Sequence, residues 1–81
     1  MLSEKMQAAI NDQINAELYS AYLYYSMTAY FQSLNLPGFT NWMRCQTQEE
    51  LVHAAKFFDH LDERNGRALM KPIDGPPTEW D

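Results

Sequence analysis

Three observations predict that the chain is all-α and folded as a long antiparallel helical hairpin. The three glycines and four prolines are few, and most fall in two places, which leaves long stretches that favour helix. Within these stretches, apolar residues recur at steps of three and four, the period of one helical face. A single Pro-Gly break separates the two stretches, and helices joined by so short a connection should lie antiparallel.

The first helix is predicted over about residues 4–33. Ser3 is a good N-cap, because its hydroxyl can accept a hydrogen bond from a first-turn N–H. No glycine or proline follows until after residue 33. The apolar stripe consists of Ile10, Ile14, Ala21, Tyr24 and Phe31, broadened by Met6, Leu18 and Tyr25. A helix of this length, roughly 45 Å, is typical of a helical bundle.

The second helix is predicted over about residues 39–65, after a turn at Asn35-Leu36-Pro37-Gly38. Gly66 stands where a C-cap glycine is expected. The predicted inward face consists of Phe39, Met43, Gln46, Glu50, His53, Phe57 and Leu61. A second apolar edge consists of Leu51, Ala54, Phe58 and Leu61.

Residues 1–66 therefore form the predicted hairpin, and residues 67–81 form an extended tail that is rich in proline. Thr78-Glu79-Trp80-Asp81 has the pattern of a run-up to a further helix. A hairpin cannot bury both of its apolar edges, so a four-helix bundle should be completed by a second copy or by further helices. The abrupt end at Asp81 favours the front half of a longer chain over a self-contained hairpin.

The composition of the chain limits the kinds of molecule that it is expected to bind and where it is expected to be found. The 81 residues carry a net charge of -5, which argues against a nucleic-acid partner and is compatible with cations. No run of about 18 apolar residues predicts a membrane span, and the N-terminus lacks the pattern of a signal peptide. The lone Cys45 fits a reducing cytosol, so a cytoplasmic location is expected.

Three residues on the predicted inward faces suggest a metal site. Glu17 lies on the apolar stripe of the first helix, and Glu50 and His53 lie three residues apart on one face of the second. A buried carboxylate is costly unless it is paired or bound to metal. Two carboxylates and one imidazole suit iron or manganese, and a bridging Glu50 could hold two ions about 3.5–4 Å apart.

Each of these residues also has a plainer interpretation. Glu-x-x-His alone is a weak signal, and Glu17 could belong to a solvated rim. Glu49 is either an accessory iron ligand or a solvated helix charge, and Tyr24 either assists the site or packs in the core. The remaining candidates are expected to be structural or to form interfaces; they are Tyr19, Tyr22, Tyr25, Tyr30, Cys45 and His60.

The chain resembles the bacterial non-haem ferritins, and the resemblance covers nearly all of it. The matching segments are residues 11–24, 38–44 and 48–53, and Pro76-Pro77 is similar to the start of the ferritin crossover loop. Together these motifs are specific. The match reaches only the first half of a typical ferritin subunit, so the third, fourth and fifth helices of the family are not represented.

The resemblance implies that Glu17, Glu50 and His53 are ferroxidase ligands, with Glu50 bridging two irons. It implies that Tyr24 is the tyrosine beside this centre and that Glu49 contributes to a third, accessory iron position. The family oxidises Fe(II) with O₂ or peroxide and stores ferric mineral in a cage of subunits. This chain would be a ferroxidase if the second half of the site is supplied.

Two alternatives stay open. The chain could be a self-assembling two-helix ferritin-like protein, a dimer of hairpins with a symmetric metal site at its interface. It could instead be a non-catalytic helical interaction module with solvated carboxylates. A rubrerythrin-like peroxidase is disfavoured, because the thiolates of the small iron domain of those proteins are missing from this sequence.

Overall fold

The computed structural model describes residues 2–80 and confirms the all-α hairpin. Helix α1 spans Glu4–Ser33 and helix α2 spans Pro37–Glu63, and the described residues contain no strand. The molecule measures 50 × 20 × 14 Å. No helix within the described range combines the length and apolar character that crossing a membrane requires.

The helix ends follow local chemistry. Ser3 caps α1 as predicted, since its hydroxyl accepts from the Met6 N–H at 3.1 Å. Helix α2 begins at Pro37, two residues before the expected start, because proline at the first helical turn has no N–H to leave unsatisfied.

Both helices end with an asparagine in the left-handed region, Asn35 at φ 57° and Asn65 at φ 60°. After α2, the N–H of Gly66 donates to the Leu61 carbonyl at 2.8 Å, which closes a Schellman motif. Asn65 therefore takes the conformation that was expected of Gly66. The glycine also relieves crowding, because a Cβ there would lie 3.0 Å from Gln7 Oε1 and 3.2 Å from Leu2 Cδ2.

The seam between the helices differs along its length. At the end nearest the chain termini, Ile10, Ile14 and Leu61 form an apolar cluster. Four partly buried residues pack around this cluster, namely Leu2, Leu18, Phe57 and Ala68.

Toward the turn, the seam contains Ala21, Met43 and three buried threonines. The hydroxyls of Thr28, Thr40 and Thr47 each donate to the backbone carbonyl four residues earlier, at 2.8–2.9 Å. These bonds satisfy the buried hydroxyls, so polar side chains occupy the contact between the helices without a desolvation cost.

The predicted inward face of α2 is partly wrong. The buried line of the helix is Thr40, Met43, Thr47, Ala54 and Leu61. Phe39 is 59% exposed, and Leu51 and Phe58 are 42% and 40% exposed. The apolar pattern misplaced the seam because the buried threonines count as polar in a sequence. Glu50, His53 and Phe57 consequently lie beside the seam rather than at its centre.

The tail from Arg67 to Trp80 has no regular secondary structure and lies along α1. At one end, the buried Asn11 donates to the Arg67 carbonyl at 3.0 Å and accepts from the Leu69 N–H at 2.7 Å. At the other, the Tyr30 hydroxyl donates to the Trp80 carbonyl at 2.6 Å. The predicted run-up to a helix shows no helix through Trp80, and Asp81 lies outside the described residues.

Candidate metal centre

Glu17, Glu50 and His53 converge on one side of the hairpin. One potential ligand atom from each residue lies within 4.8 Å of the others. We refer to these three residues as the trio. The antiparallel packing of α1 and α2 brings them together, because it sets residue 17 of one helix level with residues 50 and 53 of the other.

The distances within the trio suit a single cation. His53 Nδ1 lies 3.6 Å from Glu17 Oε2 and 3.7 Å from Glu50 Oε2. Ligand atoms bound at roughly 2.1 Å from one ion lie about 3–4 Å apart, so little movement is needed to enclose one. Carboxylate oxygens with one imidazole are donors that suit iron and manganese.

The trio is half open to solvent. The side chains of Glu17 and Glu50 are 16% and 17% exposed, whereas that of His53 is 48% exposed. The carboxylates lie next to the seam, and the imidazole lies at its edge. The side away from the seam is the direction from which further ligands and ions could reach these atoms.

The two carboxyl groups of the trio shift each other's pKa in opposite directions. The hydrogen bond from Glu50 lowers the pKa of Glu17 below its ordinary value, and the same bond, together with burial, raises the pKa of Glu50. Two adjacent carboxylates cannot both ionise cheaply without a positive charge between them. A divalent cation can supply that positive charge.

Gln13 is a member of the site that the sequence analysis missed. Its side-chain amide donates to Glu17 Oε1 at 3.0 Å and contributes to the lowered pKa of Glu17. This bond orients the carboxylate so that Oε2 faces His53. The available signal was the four-residue spacing of Gln13 and Glu17, which places them on the same face of a helix.

The structure does not bring the two remaining predicted residues into the trio. Glu49 is exposed on α2, next to Glu50 in sequence but not in the cluster of ligand atoms. Tyr24 is half-buried, two turns along α1 from Glu17, and within residues 2–80 its hydroxyl makes no hydrogen bond to the trio. Their roles stay predictions.

A groove of about 620 Å³ extends from the trio toward the end of the hairpin nearest the chain termini. Its walls consist of Met6, Ile10, Glu17, His53, Lys56, Phe57 and His60. His60, which was expected to be structural, therefore lines the groove that leads from the trio. Most of the remaining wall is apolar, so the groove resembles an uncovered packing surface next to a polar site.

Comparison with known proteins identifies the family. Residues 7–81 match the ferritin-like domain of the ferritin family. This chain belongs to the ferritin-like family. The bacterial non-heme ferritin of Bacteroides fragilis (strain 638R) is 48% identical over 80 residues, which cover 99% of this chain and 50% of the relative. The bacterial non-heme ferritin of Staphylococcus haemolyticus is 38% identical, with 99% and 48% coverage.

Solved ferritin structures share the fold. An open-pore ferritin from the hyperthermophilic archaeon Archaeoglobus fulgidus superposes with a TM-score of 0.96 at 59% identity, over 100% of this chain and 50% of the other. A humanized archaeal ferritin superposes with a TM-score of 0.98 at 58% identity, covering 49% of that chain. The chain spans about half the length of the curated relatives it matches.

Proposed function

We propose that this ferritin-like chain binds Fe(II) through Glu17, Glu50 and His53 and supports its oxidation to Fe(III) by O₂ or peroxide, ahead of iron storage. The observation that carries the proposal is the convergence of two carboxylates and an imidazole within 4.8 Å on the uncovered side of the hairpin. Membership of the ferritin-like family and the similarity to proteins named bacterial non-heme ferritin support iron as the metal.

Each residue of the trio has a distinct role in this proposal. Glu17, held by Gln13, is ionised and gives a fixed anionic ligand. Glu50, whose pKa is raised, would lose its proton as the cation binds, after which its two oxygens could bridge a pair of irons. His53 presents Nδ1 to both carboxylates and supplies a neutral donor.

The electrons and protons balance with the named oxidants. Two Fe(II) ions each lose one electron, and O₂ takes both electrons and two protons to form hydrogen peroxide. Alternatively, hydrogen peroxide takes the two electrons and two protons to form two waters. Anionic carboxylates favour the more highly charged Fe(III), and this preference is what the chain contributes to the driving force.

Three finer parts of the proposal extend the family resemblance. Glu49 would hold a third, accessory iron, and Tyr24 would act beside the centre. Storage of mineral requires an enclosed space, so it would depend on self-association of many subunits into a cage. The exposed free thiol of Cys45 fits a reducing, cytoplasmic compartment in which Fe(II) persists.

Oxidation of Fe(II) after anaerobic loading tests the proposal. Absorbance of Fe(III) is followed on exposure to air for the unaltered chain, Glu50→Ala and the control Glu63→Ala, whose side chain on the same helix is 71% exposed. We expect Glu50→Ala to lower the initial rate by about 10-fold or more, since it removes the proposed bridging ligand, and Glu63→Ala to leave the rate unchanged. Oxidation of iron no faster than in buffer would refute the function.

A further inference from the structure

We propose that Gln13 sets the size of cation that the trio prefers. By holding Oε1 of Glu17, it limits this carboxylate to one coordinating oxygen and thereby disfavours large ions such as Ca(II). The inference rests on the proposed function in one respect, because it needs a divalent cation to bind at the trio. It goes beyond that function in assigning a selectivity to a residue that is not itself a ligand.

The two oxygens of the Glu17 carboxylate have different partners. Oε1 accepts a hydrogen bond from the side-chain amide of Gln13 at 3.0 Å. Oε2 lies 3.6 Å from Nδ1 of His53, the imidazole nitrogen that also lies 3.7 Å from Glu50 Oε2. One oxygen is therefore engaged by a side chain of the same helix, while the other faces the rest of the trio.

The hydrogen bond between Gln13 and Glu17 is set by the chemistry of α1 alone. An ionised carboxylate can only accept hydrogen bonds, so the nitrogen of the Gln13 amide must face it. A hydrogen bond to an ionised acceptor is also stronger than one between neutral groups. The two residues lie four apart in one helix, which holds their side chains next to each other. The bond therefore depends on no part of the protein outside α1.

The shielding of Glu17 from solvent strengthens the effect of this bond. Its side chain is only 16% exposed, because it lies next to the seam between the helices. Water therefore competes weakly with the Gln13 amide for Oε1, and a broken bond is not readily replaced by one to solvent. An ion that takes both oxygens of Glu17 has to weaken or break the bond to Gln13, a cost that binding through one oxygen does not carry.

The size of the cation decides how much this cost matters. Ca(II) takes about six to eight oxygen ligands at roughly 2.3–2.6 Å and often binds a carboxylate through both oxygens. Fe(II) and Mn(II) are smaller and are satisfied by fewer ligands, so one oxygen from each carboxylate and one imidazole suit them. Holding Oε1 therefore costs Ca(II) a ligand and costs the smaller ions little.

Two residues divide the selectivity of the trio in this proposal. The imidazole of His53 selects by the type of donor, since an imidazole nitrogen suits iron better than it suits Mg(II) or Ca(II). Gln13 selects by the number of oxygens that Glu17 offers to one ion. The two contributions can be separated by mutation, because replacing Gln13 leaves the imidazole in place.

The ratio of the dissociation constants for Ca(II) and Mn(II) tests this proposal. Both constants are measured by isothermal titration calorimetry on the full chain, for the unaltered protein, Gln13→Leu and Gln13→Asn. Leucine has no donor, and asparagine keeps the amide on a side chain that is one methylene shorter. We expect the ratio of the Ca(II) constant to the Mn(II) constant to fall by about 5-fold or more in both variants, because Glu17 can then give Ca(II) two oxygens.

Gln32→Leu is the matched control and should leave the ratio unchanged. Gln32 is exposed on the same helix as Gln13, about four turns beyond Glu17. Glutamine and leucine have similar helix propensities, so both leucine variants should stay helical, which circular dichroism verifies.

Infrared difference spectra of the Ca(II) forms give a second readout. The separation between the two carboxylate stretching bands is smaller when both oxygens bind one ion than when one oxygen does. We expect a smaller separation in Gln13→Leu than in the unaltered chain or in Gln32→Leu. This signature reports the coordination of the carboxylate, so a general loss of structure would not produce it.

Three results would overturn the selectivity role of Gln13. The first is an unchanged ratio in a helical Gln13→Leu. The second is an equal loss of affinity for both ions, which would make Gln13 a ligand rather than a positioning residue. The third is an unaltered chain that does not bind Mn(II), because the trio would then hold no cation.

The outcomes also separate this proposal from the proposed function. A ratio that depends on Gln13, in a chain that does not oxidise iron, would refute the function and leave the selectivity intact. Oxidation of iron that requires Glu50, together with an unchanged ratio in Gln13→Leu, would refute the selectivity and leave the function intact.

Discussion

The two ends of the hairpin differ in how much of their apolar side-chain surface they bury. Near the termini, Ile14 and Leu61 are almost fully buried, and the tail is fastened over them through Asn11. Near the turn, the seam is filled by one methionine, one alanine and three threonines, while Phe39 and Trp42 are 59% and 58% exposed. The terminal end therefore has an apolar cluster that the tail helps to cover, whereas the turn end leaves two large aromatic side chains exposed.

The largest expected effect tests the terminal end. Leu61→Ala removes a side chain that has no exposed surface and touches the apolar cluster. We expect the free energy of unfolding to fall by about 2–5 kcal/mol, the cost of lost transfer energy plus a cavity. Urea denaturation followed by circular dichroism measures it. A loss below ~1 kcal/mol would mean that this end is not the stable half of the hairpin.

The next effect tests whether the tail belongs to the stable end. Asn11→Ala removes two hydrogen bonds to the tail. In one, the Asn11 amide donates to the Arg67 carbonyl, and in the other, the Asn11 side-chain oxygen accepts from the Leu69 N–H. We expect a loss of about 1–3 kcal/mol, because partners in a partly buried contact are left unsatisfied. Hydrogen exchange of the Leu69 amide should rise in the variant, while that of amides near Thr47 should not change.

A smaller effect is expected from the seam near the turn. Thr28→Ala removes a buried hydroxyl whose only recorded partner within residues 2–80 is the Tyr24 carbonyl. The loss of unfolding free energy should be no more than about 1 kcal/mol, since no long-range partner is orphaned. If Thr28→Ala costs as much as Leu61→Ala in the same denaturation experiment, the contrast between the two ends disappears.

The smallest effect concerns the middle, where the trio lies. The lowered pKa of Glu17 contributes stability at higher pH that is lost as pH falls through the folded pKa. The raised pKa of Glu50 contributes stability at low pH that is lost as pH rises through its folded pKa. These contributions oppose each other, so metal-free stability should vary little with pH.

Glu50→Gln isolates one of the two contributions. The amide can still donate to Glu17 but no longer ionises, so the variant should gain stability relative to the unaltered chain as pH rises above the ordinary range of glutamate. Urea midpoints in chelator across this range measure the difference. A constant difference between the two proteins at every pH would contradict the raised pKa of Glu50.

The sequence located the trio more reliably than it located the seam. Glu17, Glu50 and His53 could be found because charged and imidazole groups interrupt an apolar stripe at helical spacing. The buried threonines of the seam could not be found from the sequence. A threonine whose hydroxyl donates to a carbonyl of its own helix packs like an apolar residue, but a sequence pattern counts it as polar. The same ambiguity placed Phe39 in the predicted inward face, although its side chain is exposed near the turn.

By itself, the sequence determined the two helices, the cap at Ser3, the short turn and the residue types of the trio, because these depend on local preferences and on spacing along one helix. Only the tertiary structure decided the level at which α1 meets α2, the opposite pKa shifts of Glu17 and Glu50, and the path of the tail past Asn11. The physical reason is that each of these depends on distances between groups far apart in the chain. Side-chain packing in the seam sets those distances, and no local pattern encodes them.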